Sequence, residues 1–416
     1  MRHLRIVAAI DSLWLTGTIR CMNTNSLVVA GGGIAGLASA YAAGKRRLRV
    51  TLLEQAPAFG EVGAGIQLGP NATRRLKKWG VLNLKTLQPS EPEALQIRSA
   101  TDGRDLGSLR LRGRVKTHYG APYYTVHRAD LHQVLLDAVQ ACEDIDIRTG
   151  ATVRNCEVTG SVAWRDGFGD YLERFDAIVN AQGIWSQIRT EALGGVAPTW
   201  TGHVAYRALV PAAALPEKFR QPNVGVWLGP DLHVVHYPVR DSSLFNMVLL
   251  VEAPSRAPTQ DWSLRCDRAE VDHWVARMHG SLRELFDAVN AAGADWRLWA
   301  LAGRAHVSSF EELYDDHLLH VGDAAHPMLP YLAQGAAMAI EDADALGAML
   351  TRYPHAVKFA LRETARMRWE RVRQVQDRAK RNAMIFHASG LVAAGRDWAM
   401  AMGKEATIDM PWLYNY

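Results

Sequence analysis

Three glycines spaced Gly31-x-Gly33-x-x-Gly36, with Ala35 just before the last, form the first chemically suggestive pattern in the chain. The spacing alone is a weak signal. Here it follows the apolar run Ser26 to Ala30 and opens the Ala-rich stretch Ile34 to Lys45. Eighteen residues after Gly36, Glu54-Gln55 closes a second strand-like run, Arg49 to Leu53. A strand, a tight turn and a helix N-terminus bring free backbone N–H groups and a positive dipole end to one point, which suits a pyrophosphate. An acid at the end of the second strand suits ribose hydroxyls. Gly31, Gly33, Ala35, Gly36, Glu54 and Gln55 are therefore read as half of a dinucleotide site.

The other half stands near the far end, in Gly322-Asp323-Ala-Ala-His326-Pro327 and Gln334-Gly335-Ala336 through Ala343. A strand ends at Asp323, whose carboxylate can take ribityl or ribose hydroxyls. A loop with two prolines, Pro327 and Pro330, then leads to a helix opening near Gly335. A helix N-terminus at Gly335 can hold negative charge that develops on a reduced flavin ring. A plain nicotinamide dehydrogenase has no need of this second half-site, so the pair points to FAD.

The elements that must position these residues are legible in outline. Ser26 to Leu53 is a β-α-β opening, which implies a parallel sheet. Arg128 to Ala141 is a helix with Leu131, Val134, Leu135 and Ala138 on one face, and Phe175 to Ala181 is a buried strand. The texture then changes: Trp200 to Val210, Leu232 to Val239 and Leu244 to Val251 are strand-like and separated by turn residues, the pattern of an antiparallel sheet. From His317 the α/β texture returns, and the tail from Thr364 is mostly helical. The reading is an α/β chain: a Rossmann-like FAD-binding domain in two parts, residues 25–190 and 306–350. Between them stands an inserted antiparallel β-sheet substrate domain, residues 191–305, and a C-terminal helical region follows at 351–416. Residues 1–24 are read as an extension that is not native, with translation expected to start at Met22.

Composition narrows the class of function. The chain has 416 residues, a formal net charge of +4 and ordinary apolar content, which fits a multidomain globular protein and does not call for nucleic acid. The basic stretch Arg362 to Arg381 is read as a solvated helix face. Cys21, Cys142, Cys156 and Cys266 are too scattered for a metal site or a disulfide framework, and a cytoplasmic location fits. No apolar run approaches the roughly 20 residues of a membrane span.

These motifs resemble the flavoprotein aromatic hydroxylases of the para-hydroxybenzoate hydroxylase type, and within them the salicylate, 3-hydroxybenzoate and 6-hydroxynicotinate hydroxylases. The resemblance runs from about Asn25 to the C-terminus. It is carried by the Gly31 fingerprint, Glu54-Gln55, the segment Gly63 to Asn71, His127 to Leu131, Asp176-Ala-Ile-Val, Tyr206-Arg207-Ala208, Tyr237-Pro238 and the Gly322 to Ala343 block. It implies non-covalent FAD, reduced by NADH or NADPH, and O2 captured as a flavin C4a-hydroperoxide that hydroxylates a small aromatic acid, salicylate- or hydroxybenzoate-like. Hydroxypyridine acids, larger phenolic or quinone metabolites, and NAD(P)H oxidation without hydroxylation stay open, as do monomer and homodimer. By the resemblance, Gly65 lies near the flavin, Arg128 near the cofactor's phosphate or ribose, and Asp323 at its ribityl–pyrophosphate end, while Gly335 and Ala336 present backbone N–H groups to the isoalloxazine. The family usually carries Asp-Gly after the Asp176 strand; here Gln182-Gly183 keeps hydrogen-bonding capacity but loses the charge.

An electrophilic oxygen donor needs an electron-rich ring, so a group near the substrate hydroxyl that accepts its proton is expected. The candidates are His203, Tyr206 and His236 on the inserted sheet and Tyr331 on the flavin-side loop. His233 is read as a satisfied core or surface residue, and His326 as structural.

Overall fold

The computed structural model describes residues 25–60, 64–192, 196–253, 261 and 264–416. The expectations for residues 1–24, for Cys21 and for Gly63 lie outside the described residues.

The β-α-β opening forms as read. Ser26–Ala30 pairs in parallel with Arg49–Glu54 on one side and Ala177–Asn180 on the other. Ile145–Thr149 and Leu318–His320 extend the parallel sheet at either end, and Tyr314–Asp315 closes it antiparallel. Two Ala-rich helices, Ile34–Gly44 and Gly335–Arg352, are buried over most of their length and pack on each other, small residue against small: a Cβ on Gly347 would lie 3.3 Å from that of Ala42. Close packing of these two helices brings the two motif blocks together across three hundred residues of chain.

A seven-stranded sheet forms the second layer. Its order is Arg297–Gly303, Thr199–Pro211, Leu244–Glu252, Leu232–Val239, Val224–Gly229, Ala94–Ser99 and Asp105–Arg110. The last two strands come from residues 94–110, and Ala94–Ser99 pairs in parallel with Val224–Gly229. The sheet is therefore not confined to the expected 191–305 insert. Helices Arg268–Val275 and Gly280–Ala291 cover one face through Val204, Tyr206, Val234, Leu249, Leu282 and Phe286. The other face looks toward the cofactor half-sites and the C-terminal helices, Val357–Phe386 and Gly390–Ile408.

The basic stretch is not a uniformly solvated face. Arg368 and Arg371 are buried: Arg368 pairs with Glu341 at 2.7 Å and Asp342 at 2.8 Å, and Arg371 with Glu341 at 3.1 Å. A long helix must bury one stripe, and here that stripe carries cations that meet the acids of the Gly335 helix. Among the described residues no helix is long and apolar enough to cross a membrane.

Candidate functional site

The three fingerprint glycines do different work. Gly31 sits at φ +104°, where side chains are strained, and a Cβ there would lie 2.6 Å from the Ala181 carbonyl. A Cβ on Gly36 would lie 1.8 Å from the Gly31 carbonyl oxygen. These two permit the turn and the helix–strand contact. Gly33 differs: it precedes the helix, and a Cβ there would meet no atom of the described residues within 4 Å. The first-turn N–H groups, which include Ala35 and Gly36, have no partner within the helix, and they open onto this space. Glu54 accepts from Gly32 N–H at 2.6 Å and from Ala56 N–H at 2.8 Å, which fixes its carboxylate beside the turn. Gln55 follows it just past the strand end and is exposed.

The second half-site meets the first. Gly322 adopts φ +56°, and a Cβ on it would lie 2.6 Å from Ala35 Cβ. Asp323 follows with its side chain accessible yet surrounded by protein. That surrounding raises its pKa, against the lowering charges of His326 and Arg128. The loop is held from behind: Asp342 accepts from Gly322 N–H at 3.0 Å and from His326 Nε2 at 2.6 Å. Burial alone would raise Asp342, but His326 and Arg368 carry it down to about 2. His326 is thus structural, as read. Among the described residues no atom lies within 4 Å of a Cβ added to Gly335, and Ala336 follows it in the first turn of the helix. Both helix N-termini offer uncrowded donors, and an accessible carboxylate stands between them. These residues fit FAD.

Gly65 lies where the half-sites meet the seven-stranded sheet. Its N–H donates to Asn246 Oδ1 at 2.9 Å, and a Cβ would lie 2.6 Å from Tyr237. Arg128 opens the helix Arg128–Gln140, and its charge is felt by both Asp323 and Arg207. Burial, then the Arg128 charge, lowers Arg207 to about 10. Gln182 accepts from Ser186 Oγ at 3.1 Å, and its backbone lies beside Gly31.

Strand parity divides the three proton-transfer candidates on the sheet. Side chains alternate across a strand, so His203 and Arg207 face the cofactor side while Tyr206 faces the covering helices. Tyr206 is buried in that second core, its hydroxyl donating to Glu270 at 3.2 Å. His236 lies on the same outer face, stacked on Phe245 and accepting from Trp227 Nε1 at 3.1 Å. Burial lowers its pKa to about 4. The expectation put Tyr206 and His236 at the substrate; in the structure both face the covering helices, away from the side that His203 and Tyr331 share. His203 and Tyr331 do meet, with Nδ1 and hydroxyl 2.8 Å apart.

The same parity brings in residues that the sequence reading missed. His233 is on the inner face, and its Nδ1 lies 2.8 Å from His387 Nε2. His387 Nδ1 lies 3.0 Å from Glu252, whose side chain is 44% exposed. Tyr331 hydroxyl lies 3.4 Å from His387 Nε2. Burial lowers all three histidines, with His387 falling to about 3, and holds the Tyr331 phenol protonated. Nitrogens of His203 and His387 and a Glu252 oxygen lie within 4.8 Å of one another, a spacing a metal ion could also use; the hydrogen bonds through Tyr331 and His387 account for it. Tyr331 and His233 line a cavity of about 480 Å³, bounded by the inner face of the sheet, Gln67, the loop to Ala333 and the two C-terminal helices.

Paired dinucleotide half-sites facing an apolar cavity with a histidine–tyrosine cluster define a flavin-dependent oxidoreductase. Residues 23–379 match the family described as FAD binding domain, and the chain belongs to it. It is 31% identical to 3-hydroxybenzoate 6-hydroxylase 1 of Aquipseudomonas alcaligenes, over 94% of this chain and 96% of that protein. It is 33% identical to a 3-amino-4-hydroxybenzoate 2-monooxygenase of Streptomyces platensis, over 95% and 96%. The structure of a salicylate hydroxylase substrate complex superposes with a TM-score of 0.76 at 25% identity, covering 94% of this chain and 96% of that one. This chain is an FAD-dependent monooxygenase.

Proposed function

We propose that the enzyme hydroxylates a small aromatic acid bearing a ring hydroxyl, with NADH or NADPH and O2 as co-substrates. The observation that carries the reading is the hydrogen-bonded run from the cavity wall to solvent: Tyr331, His387 and Glu252, with His203 and His233 beside it. Bound FAD supplies the reducing equivalents and the activated oxygen. The protein's part is to make the ring electron-rich and keep the site dry. The substrate hydroxyl passes its proton to Tyr331 as Tyr331 passes its own to His387 Nε2. His387 releases the proton on Nδ1 to the half-exposed Glu252. Its ring returns to neutral, so the charge left in the cavity is that of the substrate phenolate, the form the electrophilic oxygen attacks. The hydroxybenzoate substrates in the names of the relatives support an aromatic acid.

The test is a panel of hydroxybenzoates and hydroxypyridine acids offered to the FAD-loaded enzyme, with NADH consumption, peroxide and product all measured. The expected result is hydroxylated product in near-stoichiometric yield from at least one aromatic acid. NADH oxidation that yields only peroxide across the whole panel would leave the enzyme an oxidase.

A further inference from the structure

We propose that Arg378 anchors the carboxylate of the aromatic substrate, so that the cavity selects acids by charge. This rests on the hydroxylase reading above. Among the described residues the cavity wall is largely aliphatic and aromatic, no acidic residue lines it, and its two cations are Arg378 and Arg396. Arg396 is already committed: it donates to the Ile385 carbonyl at 3.0 Å and the Phe386 carbonyl at 3.1 Å and pairs with Asp397 at 2.8 Å. Arg378 has no hydrogen bond or ion pair among the described residues, and its Nε is buried without a partner. The neighbouring acid, Asp377, turns instead to His306 and Arg373.

A guanidinium held against an apolar wall without a counter-ion is unfavourable until an anion arrives. A carboxylate is the geometric match, because it takes two parallel N–H donors from one guanidinium. The position along the helix adds a second constraint. Arg378 and Asn382 share one face of the helix Val357–Phe386, and Asn382 Nδ2 donates to the Tyr331 carbonyl at 3.1 Å. Four residues of helix rise about 6 Å. That is the order of the distance between the carboxylate and a hydroxyl across a benzene ring. A ring acid tethered at Arg378 therefore presents its hydroxyl toward Tyr331 and His233.

The test compares 3-hydroxybenzoate with 3-hydroxybenzamide on the FAD-loaded enzyme, by perturbation of the flavin spectrum and by steady-state kinetics. In the Arg378→Met variant, binding of the acid is expected to weaken about 10- to 100-fold, as for loss of a charged hydrogen-bond partner. The amide is expected to change less than threefold, with kcat for the acid nearly kept. Arg378→Lys is expected to restore part of the preference for the acid. If Arg378→Met loses flavin, the comparison is made between Arg378→Lys and Arg378→Gln. Equal weakening of acid and amide, or no change in either, overturns the anchor while leaving the hydroxylase reading intact. A wild-type enzyme that binds and hydroxylates no aromatic acid overturns that reading, and the anchor with it.

Discussion

Tyr331 and Tyr206 are both buried phenols, and their neighbours give them opposite chemistry. Tyr331 faces the cavity with its hydroxyl between His203 and His387, so a proton arriving there has a neutral imidazole to receive it. Tyr206 donates to Glu270 within the helix-covered core, where no substrate reaches. Replacing Tyr331 by Phe is expected to leave flavin content and its reduction intact. Hydroxylation should fall about a hundredfold, the usual cost of a lost proton acceptor, and the peroxide fraction should rise. Replacing Tyr206 by Phe should leave the ratio of product to peroxide unchanged and cost about 1 kcal/mol of stability for the lost hydrogen bond to Glu270. Product and peroxide measured together on the two variants separate the roles. A reversal, with Tyr206→Phe uncoupled and Tyr331→Phe normal, would mean that the inner face of the sheet has been misassigned.

At the scale of elements, the cofactor cradle is two helix N-termini locked together by small residues, and the glycines in it have separable tasks. Gly33→Ala adds a methyl to open space, so the apoprotein should melt as wild type while FAD affinity drops. Gly36→Ala drives a methyl into the Gly31 carbonyl, so the apoprotein itself should lose stability. Melting of apo and FAD-loaded forms distinguishes the two; a Gly33→Ala apoprotein destabilised as much as Gly36→Ala would refute the distinction. These glycines could be read from sequence because their partners are local: strand, turn and helix follow within thirty residues. The strands of the sheet were legible for the same reason, since Leu232–Val239 and Leu244–Glu252 form a hairpin. Which face each residue takes was not. The strand Thr199–Pro211 carries an irregularity between Trp200 and Val204 and places polar residues, His203 and Tyr206, on opposite faces. The count of two along a strand fixes parity, but only tertiary packing says which parity is inside. Residues 94–110 form a local hairpin, but the strand that adds them to the sheet, Val224–Gly229, lies more than a hundred residues on, and His387 reaches Glu252 and His233 across a similar separation.

Across the whole molecule, acid should weaken the fold through its buried histidines before its carboxylates respond. His203, His233, His236, His320 and His387 are all lowered by burial, to about 4 for His236 and about 3 for His387. In the unfolded chain each regains a pKa near 6.5. Below that value the unfolded state takes up protons that the folded state refuses, so stability rises with pH in this window and falls as pH drops. For His387 the window runs from about 6.5 down to about 3. Each such histidine contributes at most about 1.4 kcal/mol per pH unit. Asp342 adds a later loss with the same direction: its folded pKa near 2 lies below the ordinary carboxylate value, so its contribution holds above that value and disappears as pH falls toward 2. The same burial moves the acid limb of hydroxylation below the range between 6 and 7 in which an exposed histidine would set it. Denaturant unfolding of the apoprotein at pH 7.5, 6.5, 5.5 and 4.5 measures the slope. Stability should be nearly flat from 7.5 to 6.5 and then decline. His387→Gln removes one titrating group, so its slope below 6.5 should be shallower than wild type even if its stability at pH 7.5 is lower. A wild-type curve flat from 7.5 to 4.5, or a His387→Gln curve parallel to it, would mean that these histidines take up protons in the folded protein as readily as in the unfolded chain. The neutral run from Tyr331 to Glu252 would then not exist.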